Sequence, residues 1–317
     1  MQSGFIQIYR KNAEAIRAEL SVGLLAHNAH ISPKYLYDAL GSKLFSAICE
    51  LPEYYPTRTE AAIFDMHREE IARSTGKGAT LIDLGAGNCE KAARLFSALQ
   101  PTQYVPVDIS VEFLRESIEC LQYRYPQVRM LGIGMDFSSA LDLPETVRRD
   151  RRLFFYPGSS IGNFTPEHAA QFLVRVRDAC GQDGGLLIGV DLLKETDILH
   201  AAYDDAIGLT AAFNLNLLQH LNHLLGTNFD AHDWQHRCHF NPEESRIEMH
   251  LDARRDVTVA WEEGERHFRQ GEGIHTENSY KYTRERFLQL LERAGFGRVR
   301  TWMDPLNWFM VCHARVR

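Results

Sequence analysis

The stretch Thr80–Asn88, TLIDLGAGN, decides the fold because it joins a short apolar run to a glycine-rich turn. The run indicates a buried strand, and the EKAARLFSAL that follows has the apolar spacing of a helix. The same alternation continues downstream through the strand-like runs QYVPVDIS, VRMLGIGMDF, RRLFFYP and GGLLIGVDLL. Strands that alternate with helices of this length predict a parallel, doubly wound α/β sheet with right-handed crossovers.

This regular alternation stops near Lys194 and returns only at the end of the chain. Residues 195 to about 285 mix helical and strand-like stretches, whereas TRERFLQLLERAG predicts a helix and RVRTWMDPLNWFMVCHARV a hairpin. We therefore predict one domain from residues 61–194 and 286–317. Residues 1–60 and 195–285 are predicted to form a second lobe.

Composition and charge exclude several classes of function. The chain has 317 residues, of which 44% are hydrophobic and 24% charged, as in an ordinary folded protein. Its 35 basic and 42 acidic side chains give a net charge of −7, which argues against nucleic acid or an anionic membrane as partner. No leader-like start, long apolar run or paired cysteine motif is visible among the six cysteines. We expect a cytoplasmic monomer that acts on a small molecule.

The glycine-rich turn predicts a nucleotide-like cofactor. Gly85 and Gly87 follow Asp83 where the strand turns into the helix, and Asp108 ends the next strand, where a carboxylate suits ribose hydroxyls. Dinucleotide enzymes share this arrangement, but they favour a third glycine where this chain has Glu90 followed by Lys91. A carboxylate there favours the cationic cofactor S-adenosylmethionine (SAM) over NAD(P). A dehydrogenase remains the alternative.

Six runs, in this order along nearly the whole chain, resemble the SAM-dependent histidine Nα-methyltransferases of ergothioneine biosynthesis: LPEYYPTRTE, IDLGAGNCEK, YVPVDIS, FFYPGSSIGNF, RIEMHL and GIHTENSYKY. The resemblance implies a Rossmann-like SAM-dependent methyltransferase domain with a second, substrate-binding lobe. It also implies three successive methylations of the α-amine of L-histidine to hercynine. Open alternatives are a related N-methyltransferase for another aromatic amino acid, such as tryptophan, and a SAM-binding module without catalysis.

The resemblance also implies roles for individual residues. The implied cofactor contacts are Gly85, Lys91, Asp108, Asp136 and Phe137. The residues implied to hold the substrate amine and carboxylate are Asn163, Tyr54 and Tyr203, with Tyr55 as the neighbour that could replace Tyr54. The implied imidazole contacts are Glu277 and Ser279, with Met249 beside them. Tyr37 and Phe45 are implied as aromatic walls, and the residues expected to aim the amine are Asn163 and Tyr37.

A run of histidines raises the question of a metal. His220, His223, His232, His236, Cys238 and His239 lie within twenty residues. No H-E-x-x-H or paired cysteine motif accompanies them, and the resemblance implies no metal. We therefore predict that the protein binds no metal.

Overall fold

A computed structural model describes residues 4–8 and 12–317, which fall into two units. Unit 1 comprises the described residues of Met1–Tyr9, Pro56–Leu193 and Tyr280–Arg317, and unit 2 those of Arg10–Tyr55 and Lys194–Ser279. The assignment of cofactor binding to one unit and substrate binding to the other stays a prediction.

Strands and helices are numbered along the chain. The strands are β1 (Gly4–Gln7), β2 (Thr80–Leu84), β3 (Gln103–Asp108), β4 (Arg129–Gly134), β5 (Arg152–Tyr156), β6 (Gly185–Asp191), β7 (Trp234–Asn241), β8 (Arg246–Ala253), β9 (Val257–Trp261), β10 (Gly264–Phe268), β11 (Gly273–Tyr280), β12 (Phe296–Met303) and β13 (Phe309–Val316). The α-helices are α1 (Ala13–Leu25), α2 (Ala39–Ile48), α3 (Tyr55–Thr75), α4 (Glu90–Ala93), α5 (Phe96–Leu99), α6 (Val111–Arg124), α7 (Pro166–Cys180), α8 (Thr196–Tyr203), α9 (Leu209–Leu225) and α10 (Arg284–Arg293). Single turns of 3₁₀-helix lie at Pro33–Leu36, Ser160–Asn163 and Ala231–Asp233.

Unit 1 is built on an eight-stranded sheet in the order β1-β4-β3-β2-β5-β6-β13-β12. The pairs from β1 to β6 are parallel, as the alternating pattern predicts, and β13 runs antiparallel to both β6 and β12. The reversal follows from the short connection between β12 and β13, because only antiparallel neighbours can be joined by a hairpin. The carboxyl ends of β2, β3 and β4 therefore meet at one edge of the sheet.

Helices cover both faces of this sheet. Successive residues of a strand point to opposite faces, so Leu81 packs with Phe64 and Leu114 while Ile82 packs with Phe172 and Phe287. Both faces are buried, which is why the strands are almost continuously apolar rather than alternating. This double burial makes the sheet a rigid support for the loops at its edge.

Two parts of unit 1 differ from the sequence interpretation. Strand β1 pairs in parallel with β4, although residues 1–60 were assigned to the second lobe. Phe5 and Ile6 pack into the cores on opposite faces of the sheet, which is strand behaviour in a segment too short to show a period. The helix expected over EKAARLFSAL is broken into α4 and α5, where the Leu95 amide donates to Ala92 instead of continuing the α-helical bonding.

Unit 2 combines helices with two small sheets. Its three-stranded sheet has the order β11-β8-β7, with β7 antiparallel to β8, and β9 and β10 form a separate hairpin. Helix α9 packs against α2, β7 and β8, and buries Phe213, Leu217 and Leu221. Within the described ranges 4–8 and 12–317, no helix combines the length and apolar character needed to cross a membrane.

Candidate active site

The glycine-rich turn of unit 1 follows directly from the end of β2. Gly85 and Gly87 have φ angles of 69° and 51°, in the left-handed region where side chains are disfavoured. A side chain at position 85 would begin 3.7 Å from the ring of Phe137, which follows β4. The structure thus brings Gly85 and Phe137, two of the predicted cofactor contacts, next to each other.

Asp108 is held in place by the same turn. Its Oδ2 accepts a hydrogen bond of 2.9 Å from the Gly87 amide, and its Oδ1 accepts one of 2.9 Å from the Ser110 amide. Burial raises the pKa of this carboxyl group, while the two amide bonds act in the opposite direction by stabilising the charged form. A carboxylate accepts hydrogen bonds at both oxygens, and this one is fixed by the turn, so it is suited to accept from a ribose diol.

Two further acids stand near the carboxyl edge of the sheet. Asp83 is buried at the end of β2; its Oδ2 accepts from the Tyr104 hydroxyl at 2.7 Å, and its buried Oδ1 has no partner among the described residues. Burial, together with the charge of Asp108, raises the pKa of Asp83 to about 7. Asp136 accepts hydrogen bonds from the amide and hydroxyl of Ser138. The acidic donor set, with one orphaned oxygen, fits a cofactor that carries positive charge.

Lys91 has a buried partner that sequence reasoning missed. Its Nζ lies 2.9 Å from Oε2 of Glu60, which is almost wholly buried, and Oε1 of Glu60 accepts from the Gly158 amide at 2.8 Å. A Cβ on Gly189 would lie 1.9 Å from that Oε1, so only glycine leaves room for the carboxylate. Glu60 occurs in the run LPEYYPTRTE, but no local pattern connects it to a lysine 31 residues later.

Glu90 is weaker evidence for a cationic cofactor than the sequence alone indicates. Its carboxylate forms an ion pair with Arg124, so its charge is partly offset. The preference for SAM over NAD(P) must therefore rest on the other acids of this edge and on relationship to known proteins.

Asn163 ends the 3₁₀ turn Ser160–Asn163 and is half-buried. The turn is pressed against the main chain, because a Cβ on Gly162 would lie 2.8 Å from the carbonyl oxygen of Tyr280. The backbone before Asn163 is thus tightly held. Its predicted contact with the substrate amine stays a prediction.

In unit 2, five aromatic side chains from two stretches of the chain, residues 37–54 and 203–213, form one group, here called the aromatic cluster. Tyr37 lies 5.5 Å from Phe45 between ring centroids, Phe45 lies 6.0 Å from Tyr54, and Tyr54 lies 6.1 Å from Tyr203. Phe213 of α9 contacts both Tyr37 and Phe45. Four predicted substrate residues therefore meet, and Phe213 is a member that no sequence motif indicated.

The adjacent residues Tyr54 and Tyr55 lie in two different environments. Tyr54 belongs to the aromatic cluster, and burial raises the pKa of its phenol well above the usual value, with the neighbouring Tyr203 adding to the shift. Tyr55 is fully buried elsewhere in the unit, where its hydroxyl accepts from Nζ of Lys194 at 2.8 Å. This geometry favours Tyr54 for the predicted substrate contact.

Polar groups of β11 border the aromatic cluster. The Ser279 and Tyr203 hydroxyls are 2.7 Å apart, and Glu277, two residues before Ser279, is buried and interacts electrostatically with Tyr54. Met249 is buried on the neighbouring strand β8, where its carbonyl accepts from Thr276.

His236 contacts the main chain of Tyr203 and helps to hold it in place. Its Nδ1 lies 2.9 Å from the side-chain nitrogen of Asn214, and its Nε2 lies 2.9 Å from the Tyr203 carbonyl oxygen. Since the Asn214 amide nitrogen and the Tyr203 carbonyl can each play only one role, Nδ1 accepts and Nε2–H donates. Burial lowers the pKa of His236, which favours the neutral form of its imidazole ring.

One group of possible metal ligands lies on the same small sheet. His239, Glu248 and His250 place their ligand atoms within 4.8 Å of one another. However, Nδ1 of His239 lies 3.2 Å from a guanidinium nitrogen of Arg237, which can only donate. Nε2 of His239 then carries the ring proton and points no lone pair at a metal. The second guanidinium, of Arg246, already pairs with Glu248 at 2.7 Å, so the donor set fits an ion-pair network better than a metal site.

Comparison with solved structures identifies the fold. The chain superimposes on the CcbJ methyltransferase from Streptomyces caelestis with a TM-score of 0.50 and 15% identity, over 88% of this chain and 99% of that one. At this identity the likeness concerns the fold alone, and the fold is that of a methyltransferase, as predicted.

Sequence comparison narrows this to a family. Residues 16–316 match the model for the SAM-dependent histidine-specific methyltransferases, and the chain belongs to that family. It is 39% identical to the histidine N-alpha-methyltransferase of Mycolicibacterium smegmatis over 94% of both chains. It is 33% identical to ergothioneine biosynthesis protein 1 of Neurospora crassa, over 84% of this chain and 31% of that protein. The predicted family and the predicted cofactor, SAM, are confirmed.

Proposed function

We propose that this protein transfers methyl groups from SAM to the α-amine of L-histidine, in three steps that give hercynine for ergothioneine biosynthesis. Its family and the names of its relatives support this proposal. The single observation that carries it is the pairing of Glu277 and Ser279, two buried polar side chains on one strand beside an aromatic cluster.

This pair suits an imidazole ring in particular. A neutral imidazole has one N–H donor and one acceptor nitrogen. The Glu277 carboxylate can take the donor, and a hydroxyl such as that of Ser279 can serve the acceptor. A phenyl or aliphatic side chain would offer neither of these buried groups a hydrogen bond, which is a strong basis for rejection.

The other end of the substrate calls for donors to a carboxylate. The phenol of Tyr54 stays protonated across the working pH range because burial raises its pKa. It is therefore a hydrogen-bond donor rather than a general base, and we assign it to the substrate carboxylate together with Tyr203.

Bound SAM supplies an electrophilic methyl group on a sulfonium centre, so no covalent nucleophile of the protein is required. We assign Gly85, Lys91, Asp108, Asp136 and Phe137 to holding it. The protein's task is to orient the acceptor, which attacks only after the substrate ammonium has lost a proton. Activity should therefore rise with pH until the bound amine is neutral.

Three successive transfers restrict which groups can orient the substrate. The neutral dimethylated amine has no N–H left, so hydrogen bonds donated by the amine cannot position it for the third transfer. The carboxylate and imidazole ends must then be the fixed points. Aromatic faces such as those of Tyr37 and Phe45 would favour the increasingly methylated, cationic species by cation–π attraction.

The test is a mass-spectrometric screen of the twenty standard amino acids with SAM, followed by a time course on each substrate found. We expect histidine to be methylated to its trimethyl form under excess SAM, with mono- and dimethylhistidine consumed on the way. Methylation of tryptophan in preference to histidine, or accumulation of monomethylhistidine under excess SAM, would contradict the proposal.

The proposal includes a monomer working in the cytoplasm. All six cysteines are free thiols, which suits a reducing compartment. Light scattering on the purified chain should then give a mass close to 36.3 kDa.

A further inference from the structure

A cavity of about 850 Å³ opens in unit 1 at the edge of the sheet opposite the loops that follow β2, β3 and β4, here called the candidate cofactor loops. It is lined by the turn after α3, the first residues of β5 and β6, the start of β12 and the end of β13. These are the amino ends of the parallel strands, whereas Gly85 and Asp108 follow their carboxyl ends. Strand β2, of five residues, separates the two edges by roughly 16 Å.

The charge of this cavity is opposite to that of the whole protein. Its lining includes one acidic side chain, Asp183, and five arginines: Arg151, Arg152, Arg298, Arg315 and Arg317. The chain as a whole carries a net charge of −7. Such a concentration of guanidinium groups repels itself and needs a compensating interaction.

The protein supplies little of that compensation. Within residues 4–8 and 12–317, Arg317 is the member of the set with an ion-pair partner, Glu292. Arg152 donates to three backbone carbonyls and Arg315 to the Ser74 carbonyl, neither of which neutralises a charge. Arg151 and Arg298 are exposed and have no ion pair in the described part of the chain, although Arg151 interacts electrostatically with Asp150.

Arg151 and Arg298 also have unusual backbones. Both have a φ angle of 48°, in the left-handed region that glycine or asparagine normally occupies. Arg298 lies in the register shift of β12 between Gly297 and Arg300, a bulge that re-aims a side chain. Gly76 gives room to Arg151, because a Cβ at that position would lie 2.8 Å from the guanidinium. Strained residues that persist at the same cavity indicate a function for their side chains.

From this arrangement we propose that the cavity binds a small organic polyphosphate of the nucleoside di- or triphosphate class. Guanidinium forks match phosphate oxygens in pairs, and several arginines that line one cavity match a chain of phosphates rather than a single carboxylate. The volume admits a ligand larger than inorganic phosphate. The ligand would lie far from the methyl-transfer chemistry, so this is a second site and not a part of the first.

The test is calorimetric titration of the full-length protein at about 0.15 M salt with tripolyphosphate and, separately, with ATP. We expect saturable binding of both at a Kd below 1 mM. Equal affinities would assign recognition to the phosphate chain alone, and tighter binding of ATP would add the nucleoside. Absence of saturable binding of either would overturn the proposal.

Two sets of variants give the matched comparison. The double variant R151Q/R298Q should weaken binding at least about 10-fold, whereas R129Q/R286Q, which removes the same charge from exposed positions of the same unit, should not. Equal loss in both would leave only general charge attraction and overturn the site.

The single variant R298G separates ligand binding from folding. Glycine relieves the left-handed backbone, so the variant should melt at or above the wild-type temperature while losing tripolyphosphate affinity. A lower melting temperature with unchanged affinity would show that Arg298 serves the fold.

Discussion

The candidate cofactor loops of unit 1 and the aromatic cluster of unit 2 are built in opposite ways. The loops are local: each follows one strand, and its side chains bond to amides two residues away or to the next loop, as Asp108 does with Ser110 and Gly87. The cluster draws Tyr37, Tyr54, Tyr203 and Phe213 from segments far apart in the chain. A site made of loops can be shared by many methyltransferases, whereas one assembled from distant side chains can be specific to one substrate.

The largest expected effect is on substrate choice. If Glu277 selects imidazole, the wild-type enzyme should prefer histidine over phenylalanine by at least about 10³-fold in kcat/KM, and E277A should lose most of that preference. SAM affinity should be unchanged, because we assign Glu277 to the imidazole ring and not to the cofactor. Steady-state kinetics with both amino acids provides the measurement.

Two controls accompany this variant. E265A removes an exposed carboxylate of the same unit and should keep the preference, and E277Q, which retains one acceptor, should keep part of it. Intact selectivity in E277A would refute the imidazole assignment and leave the aromatic cluster as the source of specificity.

The matching substitution in the candidate cofactor loops tests SAM binding instead of substrate choice. D108A removes a carboxylate acceptor, worth roughly 1.5–3 kcal/mol, and should weaken SAM binding about 10- to 150-fold. Calorimetry should show this loss without a comparable change in histidine affinity, and D142A, at an exposed acid of the same unit, should behave as wild type. Unchanged SAM affinity in folded D108A would remove Asp108 from the site.

Asp83 makes the stability of the ligand-free enzyme depend on pH. Its pKa is about 7 in the folded protein against an ordinary value near 3.9 when unfolded, so folding takes up a proton between these pH values. The free energy that protonated Asp83 contributes to folding is fully present below about pH 4. It is lost as the pH rises towards 7, by about 1.4 kcal/mol per pH unit.

D83N lacks this titration, so its unfolding free energy relative to wild type should improve by about 2.3 kcal/mol between pH 5 and 7 and stay level above pH 8. Urea unfolding of both proteins across this range is the measurement. Parallel stability curves would mean that Asp83 is already ionised in the folded enzyme.

The smallest expected effect concerns Glu60, which we infer to position Lys91. E60Q keeps an acceptor for the Gly158 amide but loses the charge that holds Lys91, so SAM affinity should fall about 5- to 10-fold with little change in kcat. K91Q should have a similar effect, and the double variant E60Q/K91Q should be no worse than either. Additive losses would show that Glu60 acts independently of Lys91.

Much of unit 1 was predictable because its elements are long, apolar and periodic. The strand–turn–helix at Thr80–Asn88 and the carboxylate of Asp108 follow from local patterns that parallel sheets impose. Strand β1 and the break between α4 and α5 were missed, since four residues show no period and a single tightened turn leaves the apolar spacing of a helix intact.

The sequence by itself determined the sheet and, through six motifs, the family. Only the tertiary structure decided which of Tyr54 and Tyr55 joins the aromatic cluster, that Glu60 holds Lys91, and that five arginines share one cavity. The physical reason is range: hydrogen bonding and hydrophobic period act between near neighbours and leave a pattern in the chain. Packing between segments a hundred residues apart leaves none, because any side chain of suitable size and charge can arrive there from anywhere in the sequence.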